Sequence, residues 1–144
     1  MKLKTLPVFL AVIALATAIL ACVLGPARLS KAYTAQDPEG KNATSTFAPT
    51  DEIYIVADEY NGPKGTTIAS KWYAVEVEGI DPDKLFYQGK ATEPFDYSGR
   101  MFLSIPGRGR YLHSDGSSNW LPGKYRVELY LNDQMIQSLT FLVQ

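Results

Sequence analysis

The sequence predicts an all-β fold for most of this chain, a single antiparallel sandwich of about seven strands, and three observations carry the prediction. Beyond Phe47, apolar residues alternate with polar ones in short runs rich in β-branched and aromatic side chains. Clusters of Gly, Pro, Asn and Asp separate those runs, which is the chemistry of turns. No stretch past the apolar start of the chain keeps a helical period long enough to compete.

The chain begins differently. Nineteen uncharged residues, Leu6 to Leu24, stand behind Lys2 and Lys4. A basic flank followed by a long apolar run is the pattern of an export signal, and as a helix rising about 1.5 Å per residue it is also long enough to cross a hydrocarbon core of roughly 30 Å. Residues 1–29 are therefore expected to form a hydrophobic helix, a signal peptide or membrane anchor that delivers the rest to the extracytoplasmic side of a bacterial envelope. Ile19-Leu20-Ala21-Cys22 resembles the lipobox of bacterial lipoproteins, and the resemblance implies lipidation at Cys22. Two other fates stay open. A peptidase cut is offered by the small-x-small triplets Ser30-Lys31-Ala32 and Ala16-Thr17-Ala18, and an uncleaved anchor is offered by the slight positive-inside bias of Lys2 and Lys4 over Arg28 and Lys31.

Residues 30–46, with Gln36-Asp37-Pro38-Glu39-Gly40-Lys41-Asn42 at their centre, show almost no apolar periodicity and are expected to be a flexible linker. The domain proper is then 47–144. From Tyr33 onward ten Lys and Arg face fifteen Asp and Glu, a net charge of about −5. Nucleic acid is excluded as a partner on that balance, because phosphate binding needs a basic field. Cys22 is the only cysteine, so no intramolecular disulfide staples the domain and its stability must come from buried side chains. Multi-cysteine zinc sites and iron–sulfur clusters are excluded by the same count, and no cofactor is expected.

Taken in order, strands are expected near Ile53 to Ala57, Thr67 to Val77, Lys84 to Gly89, Arg100 to Ile105, Lys124 to Leu131 and Ile136 to Val143, with a short first strand at Thr46 and Phe47. Tyr125, Val127, Leu129 and Leu131 share one face of their strand, while Arg126, Glu128, Tyr130 and Asn132 share the other. Asn132-Asp133-Gln134 turns the chain into a C-terminal hairpin whose second strand points Leu139, Phe141 and Val143 inward. In the strand from Thr67, Trp72 is expected inside as the largest group available to fill the space between sheets.

Trp72 in a central strand, followed by Leu121-Pro122-Gly123-Lys124-Tyr125-Arg126-Val127, resembles the immunoglobulin and fibronectin type III class of sandwich. The resemblance implies that Trp72 packs in the core and that the Tyr125 hydroxyl bonds back to the preceding loop as a tyrosine corner. Val127 stands where true immunoglobulin domains carry a cysteine. Phe47 to Tyr54, with Trp72-Tyr73 and the final hairpin, also resembles Ig-like domains of bacterial envelope lipoproteins, which implies a binding or scaffolding module without chemistry of its own.

The inventory is poor in catalytic groups. His113 is the sole histidine, so multi-histidine metal sites are excluded, and Ser114 and Asp115 beside it cannot all face one another as a triad requires. Asp81-Pro82-Asp83 and Asp58-Glu59 offer oxygen ligands but read as turns, without a calcium-loop pattern. No catalytic or metal residue is expected. The long Gly/Ser-rich connection Pro106 to Leu121 offers a partner-binding surface through Arg108, Arg110, Tyr111, His113 and Trp120, since arginine and large aromatics anchor interfaces. The alternative is that Trp120 folds under the sheet edge and the arginines only keep a flexible loop soluble. The expected partner is another envelope protein. Alternatively it is a polysaccharide, stacked on exposed aromatics such as Tyr54, Tyr73, Tyr87, Tyr97 and Tyr130.

Overall fold

The computed structural model describes residues 25–144. The expected leader, with Cys22, lies outside the described residues apart from its last few. Among the described residues no helix is long and apolar enough to cross a membrane. Nine strands and one short 3₁₀ turn, Arg108–Leu112, make up the regular structure among the described residues.

The strands are β1 (Arg28–Leu29), β2 (Tyr33–Ala35), β3 (Thr46–Phe47), β4 (Tyr54–Gly62), β5 (Thr67–Val77), β6 (Lys84–Thr92), β7 (Tyr97–Ser104), β8 (Gly123–Leu131) and β9 (Gln134–Val143). β1 and β2 lie along one side of β4 and β7 along the other, giving the first sheet. The second runs β3-β9-β8-β5-β6. Every pairing is antiparallel except β3 with β9, which is parallel. Nine strands rather than seven arise because the chain's first edge is laid down in three short pieces, two on the first sheet and one on the second.

That edge corrects the expected linker. Tyr33–Ala35 of the linker pair with β4, as do Arg28–Leu29 at the end of the expected leader helix, while the short strand expected at Thr46 and Phe47 is present and pairs with β9. Ala32 and Ala35 are fully buried, small enough to sit against the sheets without producing a readable alternation. The Gln137 side-chain amide donates to the Ala32 carbonyl and accepts from its N–H, both at 2.8 Å, tying this edge to the opposite sheet. The polar residues between are also ordered. Asp37 accepts backbone N–H bonds from Lys41 and Asn42 at 3.0 and 2.7 Å, closing a turn whose Gly40 has φ 72° and lies against the Tyr33 ring.

The pattern reading holds best where alternation is longest. β5 spans the expected residues, and β8 buries Tyr125, Val127, Leu129 and Leu131 as their period requires. β4 runs five residues past its expected end because Asp58 and Glu59 form a bulge, shown by the register shift between Ala57 and Tyr60, and the inward period resumes with Tyr60.

The main core is aromatic. Trp72, with no exposed surface, meets Trp120 at 6.4 Å and Phe141 at 6.0 Å, and Tyr125 stacks on Phe141 at 5.3 Å. The Trp72 indole N–H donates to the buried Ser70 hydroxyl at 3.0 Å. Tyr125 donates its hydroxyl to the Leu121 carbonyl at 2.7 Å, the tyrosine corner of the immunoglobulin class. Trp72, that corner and the strand order together place the domain in the immunoglobulin-like class of β-sandwich. Gly123 begins β8 because a Cβ there would stand 2.4 Å from the Glu76 carbonyl oxygen. A smaller core of Tyr60, Ile68 and Leu131, at the other end of the strands, is covered by Ala27, Leu29, Met101 and Leu103.

Candidate functional site

Two ends of the sandwich contend for function, and the structure separates them. The connection after β7, expected as the binding surface, is folded onto the protein. Gly109 N–H donates to the Ser118 carbonyl at 3.1 Å and Trp120 N–H to the Pro49 carbonyl at 2.8 Å, so the two limbs of the loop are sewn together and to the start of β4. A Cβ on Gly109 would stand 2.5 Å from the Asn119 carbonyl oxygen, so the limbs approach as closely as glycine allows.

Of the two placements expected for Trp120, partner anchor or cover of the sheet edge, the structure shows the second. Trp120 is 2% exposed and packs on Trp72, Phe86, Tyr125 and Phe141, closing the end of the main core rather than facing a partner. An indole of this size gains more by filling that space than by standing in water. Its N–H finds no hydrogen-bond partner, a cost set against the area it buries. Arg108 bonds the Glu52 carboxylate at 2.8 Å, and the His113 Nε2–H donates to the Asn119 carbonyl at 2.6 Å, so both brace the loop. Arg110 and Tyr111 remain at the surface. The Arg110 guanidinium lies 5.7 Å from the Tyr111 ring, and that ring rests 4.9 Å from Tyr87.

The aromatic residues expected on open faces divide likewise. On the outer face of the second sheet, Tyr73 and Tyr130 both donate to Glu128 Oε2, at 3.2 and 2.7 Å. The Arg126 guanidinium covers the Tyr73 ring at 4.5 Å and the Lys71 ammonium covers Tyr130 at 4.7 Å. The hydrogen bond to Glu128, with burial behind it, pushes the Tyr130 phenol up to about 12. These rings are occupied by their own neighbours and present little free face. Asp83 is likewise taken by Arg126, at 2.7 Å. Among the described residues no group of His, Cys, Asp and Glu is arranged to hold a metal ion.

The other end holds Tyr97, expected among the exposed aromatics, together with residues that the sequence did not single out. An open pocket of about 260 Å³ lies where the chain crosses from β6 to β7, lined by Tyr60, Glu93, Phe95, Tyr97, Arg100 and Phe102 among others. Phe95, Phe102 and Tyr97 are 62%, 52% and 38% exposed, the densest group of exposed aromatics among the described residues. The crossover is rigidly placed. Glu93 N–H donates to the Thr66 carbonyl at 2.8 Å, Gly65 N–H to the Glu93 carbonyl at 2.9 Å, and Lys64 N–H to the Asp96 carboxylate at 2.8 Å. Arg100 at the rim pairs with Asp58 at 3.0 Å and donates to the Glu39 carbonyl at 2.8 Å, so its charge is already answered.

Tyr60 forms the inner wall, 2% exposed, its ring 6.1 Å from Tyr97. Its hydroxyl is buried and makes no hydrogen bond of ordinary geometry. Burial first, and then hydrogen bonding to the Glu93 carboxylate beside it, push the phenol well above its ordinary pKa, so it stays protonated. A local signal was present in the sequence. Tyr60-Asn61-Gly62 and Tyr97-Ser98-Gly99 are paired across β4 and β7, and in extended chain residue i+2 shares the face of residue i. Each phenol therefore lies over its own glycine: a Cβ on Gly62 would stand 2.2 Å from the Tyr60 hydroxyl and one on Gly99 3.0 Å from that of Tyr97.

No family model matches the chain, and no curated protein matches it in sequence. Among solved structures it is similar to a β-glucosidase from Listeria innocua in complex with laminaribiose, with 10% identity, a TM-score of 0.51, and coverage of 82% of this chain and 16% of that one. An alkylpurine DNA glycosylase from Pseudomonas fluorescens, bound to DNA with an abasic site analog, matches at 13% identity and TM-score 0.40, over 80% of this chain and 31% of that one. An immunoglobulin-like protein from Pseudomonas aeruginosa matches at 10% identity and TM-score 0.43, over 85% of this chain and 99% of that one. The chain thus spans less than a third of either enzyme, and identities this low speak only of fold.

Proposed function

We propose that this chain is a non-catalytic binding module, an immunoglobulin-like sandwich tethered on the extracytoplasmic side of a bacterial membrane by its N-terminal segment or by lipid at Cys22, and that it engages another envelope protein. The observation that carries the reading is the grouping of Phe95, Tyr97 and Phe102 around one pocket on a stable scaffold. Exposed large apolar side chains scattered singly need no explanation, whereas a contiguous group of them marks an interface. The leader supports the tether. Arg110 and Tyr111 offer a second, smaller contact at the opposite end.

Site-specific photo-crosslinking in the native envelope tests this. Crosslinkers placed at Phe102 and at Tyr111, with Lys41 as control, are expected to trap a discrete protein from Phe102, more weakly from Tyr111, and none from Lys41. No protein adduct at either site, or the same adduct from all three, overturns the reading. A polysaccharide adduct at Phe102 replaces the protein partner with a glycan, held by the exposed rings.

A further inference from the structure

We propose that the Tyr60–Glu93 pocket is a receptor for a single organic cation, the ammonium or guanidinium group of a lysine or arginine side chain presented by the partner protein. The proposal rests on the binding-module reading and gives that module's site its chemistry.

Three features converge on a cation. Phe95, Tyr97 and Phe102 stand around the pocket mouth with much of their surface free, and the faces of such rings attract cations. Their apolar edges also suit the methylene stem that carries the charge. Glu93 brings a carboxylate whose backbone is fixed at both N–H and carbonyl, while Arg100, which lines the same pocket, is paired with Asp58 and the Glu39 carbonyl. The pocket therefore holds an unanswered negative charge within an aromatic rim, on a domain of net negative charge.

The third feature is the Tyr60 hydroxyl. A buried polar group without a partner destabilises the fold, and such groups persist where something other than the fold employs them. Held without an ordinary hydrogen bond beside the half-buried Glu93 carboxylate, the hydroxyl oxygen is one of two acceptors that an entering N–H group bridges. A neutral sugar stacks on the rings and can donate a hydroxyl to the carboxylate, but it leaves the charge unbalanced. An aliphatic side chain satisfies neither polar group.

The experiment is a ¹H–¹⁵N NMR titration of the full chain in detergent with N-acetyl-lysine methylamide and N-acetyl-arginine methylamide. N-acetyl-norleucine methylamide serves as the uncharged isostere and N-acetylglucosamine as the sugar. Saturable shifts confined to the amides around Tyr60, Glu93, Phe95 and Tyr97 are expected with both cations and with neither neutral probe. Glu93→Gln abolishes them. Tyr60→Phe weakens the affinity roughly tenfold, the scale of one hydrogen bond to a charged group, while its thermal midpoint does not fall; a structural role for the hydroxyl would lower binding and midpoint together. Equal shifts from the norleucine probe, shifts from the sugar alone, unaltered affinity in Glu93→Gln, or no shift at all overturn the assignment. The crosslinking result is independent: a protein adduct at Phe102 with a silent pocket keeps the module and removes the cation.

Discussion

The two ends of this sandwich use the same kinds of residue to opposite effect. At one end Trp72, Trp120, Tyr125 and Phe141 are buried together, and their polar handles are mostly bonded, to Ser70 and to the Leu121 carbonyl. At the other, Phe95, Tyr97 and Phe102 stand in water around a buried hydroxyl that makes no ordinary hydrogen bond. The first arrangement lowers the free energy of the fold and leaves little for a partner to gain. The second gives up stability locally, which is the signature expected of a surface kept for binding. Aromatic content alone does not locate a site, and neither does an unmet hydrogen bond, which Trp120 also carries; exposure of the rings beside it does.

The contrast is broken most severely at Trp120. Truncation to alanine removes an indole enclosed by four other rings, and a loss of about 3–5 kcal/mol is expected in urea unfolding, on the scale of large-to-alanine core changes. A loss below about 1 kcal/mol would mean that the loop end is not part of the core. Tyr125→Phe is a smaller cut through the same end. It deletes the bond to the Leu121 carbonyl and is expected to lower stability by about 1–2 kcal/mol with binding unaffected. The surface pair behaves differently: Arg110→Ala and Tyr111→Ala are expected to move stability by less than about 0.5 kcal/mol, because their side chains brace nothing buried.

A pH titration sharpens the comparison at the first sheet's edge. Burial alone would raise the Asp37 carboxyl, but the N–H bonds from Lys41 and Asn42 outweigh it and hold the group below its ordinary 3.8. The folded value lies below the unfolded one, so the turn's contribution is present at neutral pH and is lost as pH falls through the folded value, beneath 3.8. Amide exchange at Lys41 and Asn42 is expected to quicken only there. In Asp37→Asn the acid step disappears, and a step that persists would assign it to another group.

How much of this was legible in the sequence follows from physical scale. Eleven alternating residues set the limits of β5, and the Leu121-to-Val127 segment announced the tyrosine corner, because both are local patterns. β1 and β2 were not legible: Ala32 and Ala35 are buried by contacts with distant strands and by the Gln137 clip, 105 residues away, while their neighbours are polar. The Asp58-Glu59 bulge hid the far half of β4, and with it Tyr60. Phe95 sits in Glu93-Pro94-Phe95-Asp96, which reads as a turn and gives no sign that the rings of two strands converge beside it. Trp120 was open to two readings, exposed anchor or cover of the sheet edge, and the sequence has no local pattern that separates them. Only the fold-back of the loop over the sheet ends decides for the second.

The central claim, that the open end holds a group the fold itself does not use, is tested most directly by equilibrium urea unfolding of Tyr60→Phe against the parent chain. An unchanged or higher midpoint is the expected result, since the change removes a buried oxygen without removing a bond. A midpoint lowered by the equivalent of about 1 kcal/mol or more would show that the hydroxyl is bonded in the folded protein, and would contradict the account.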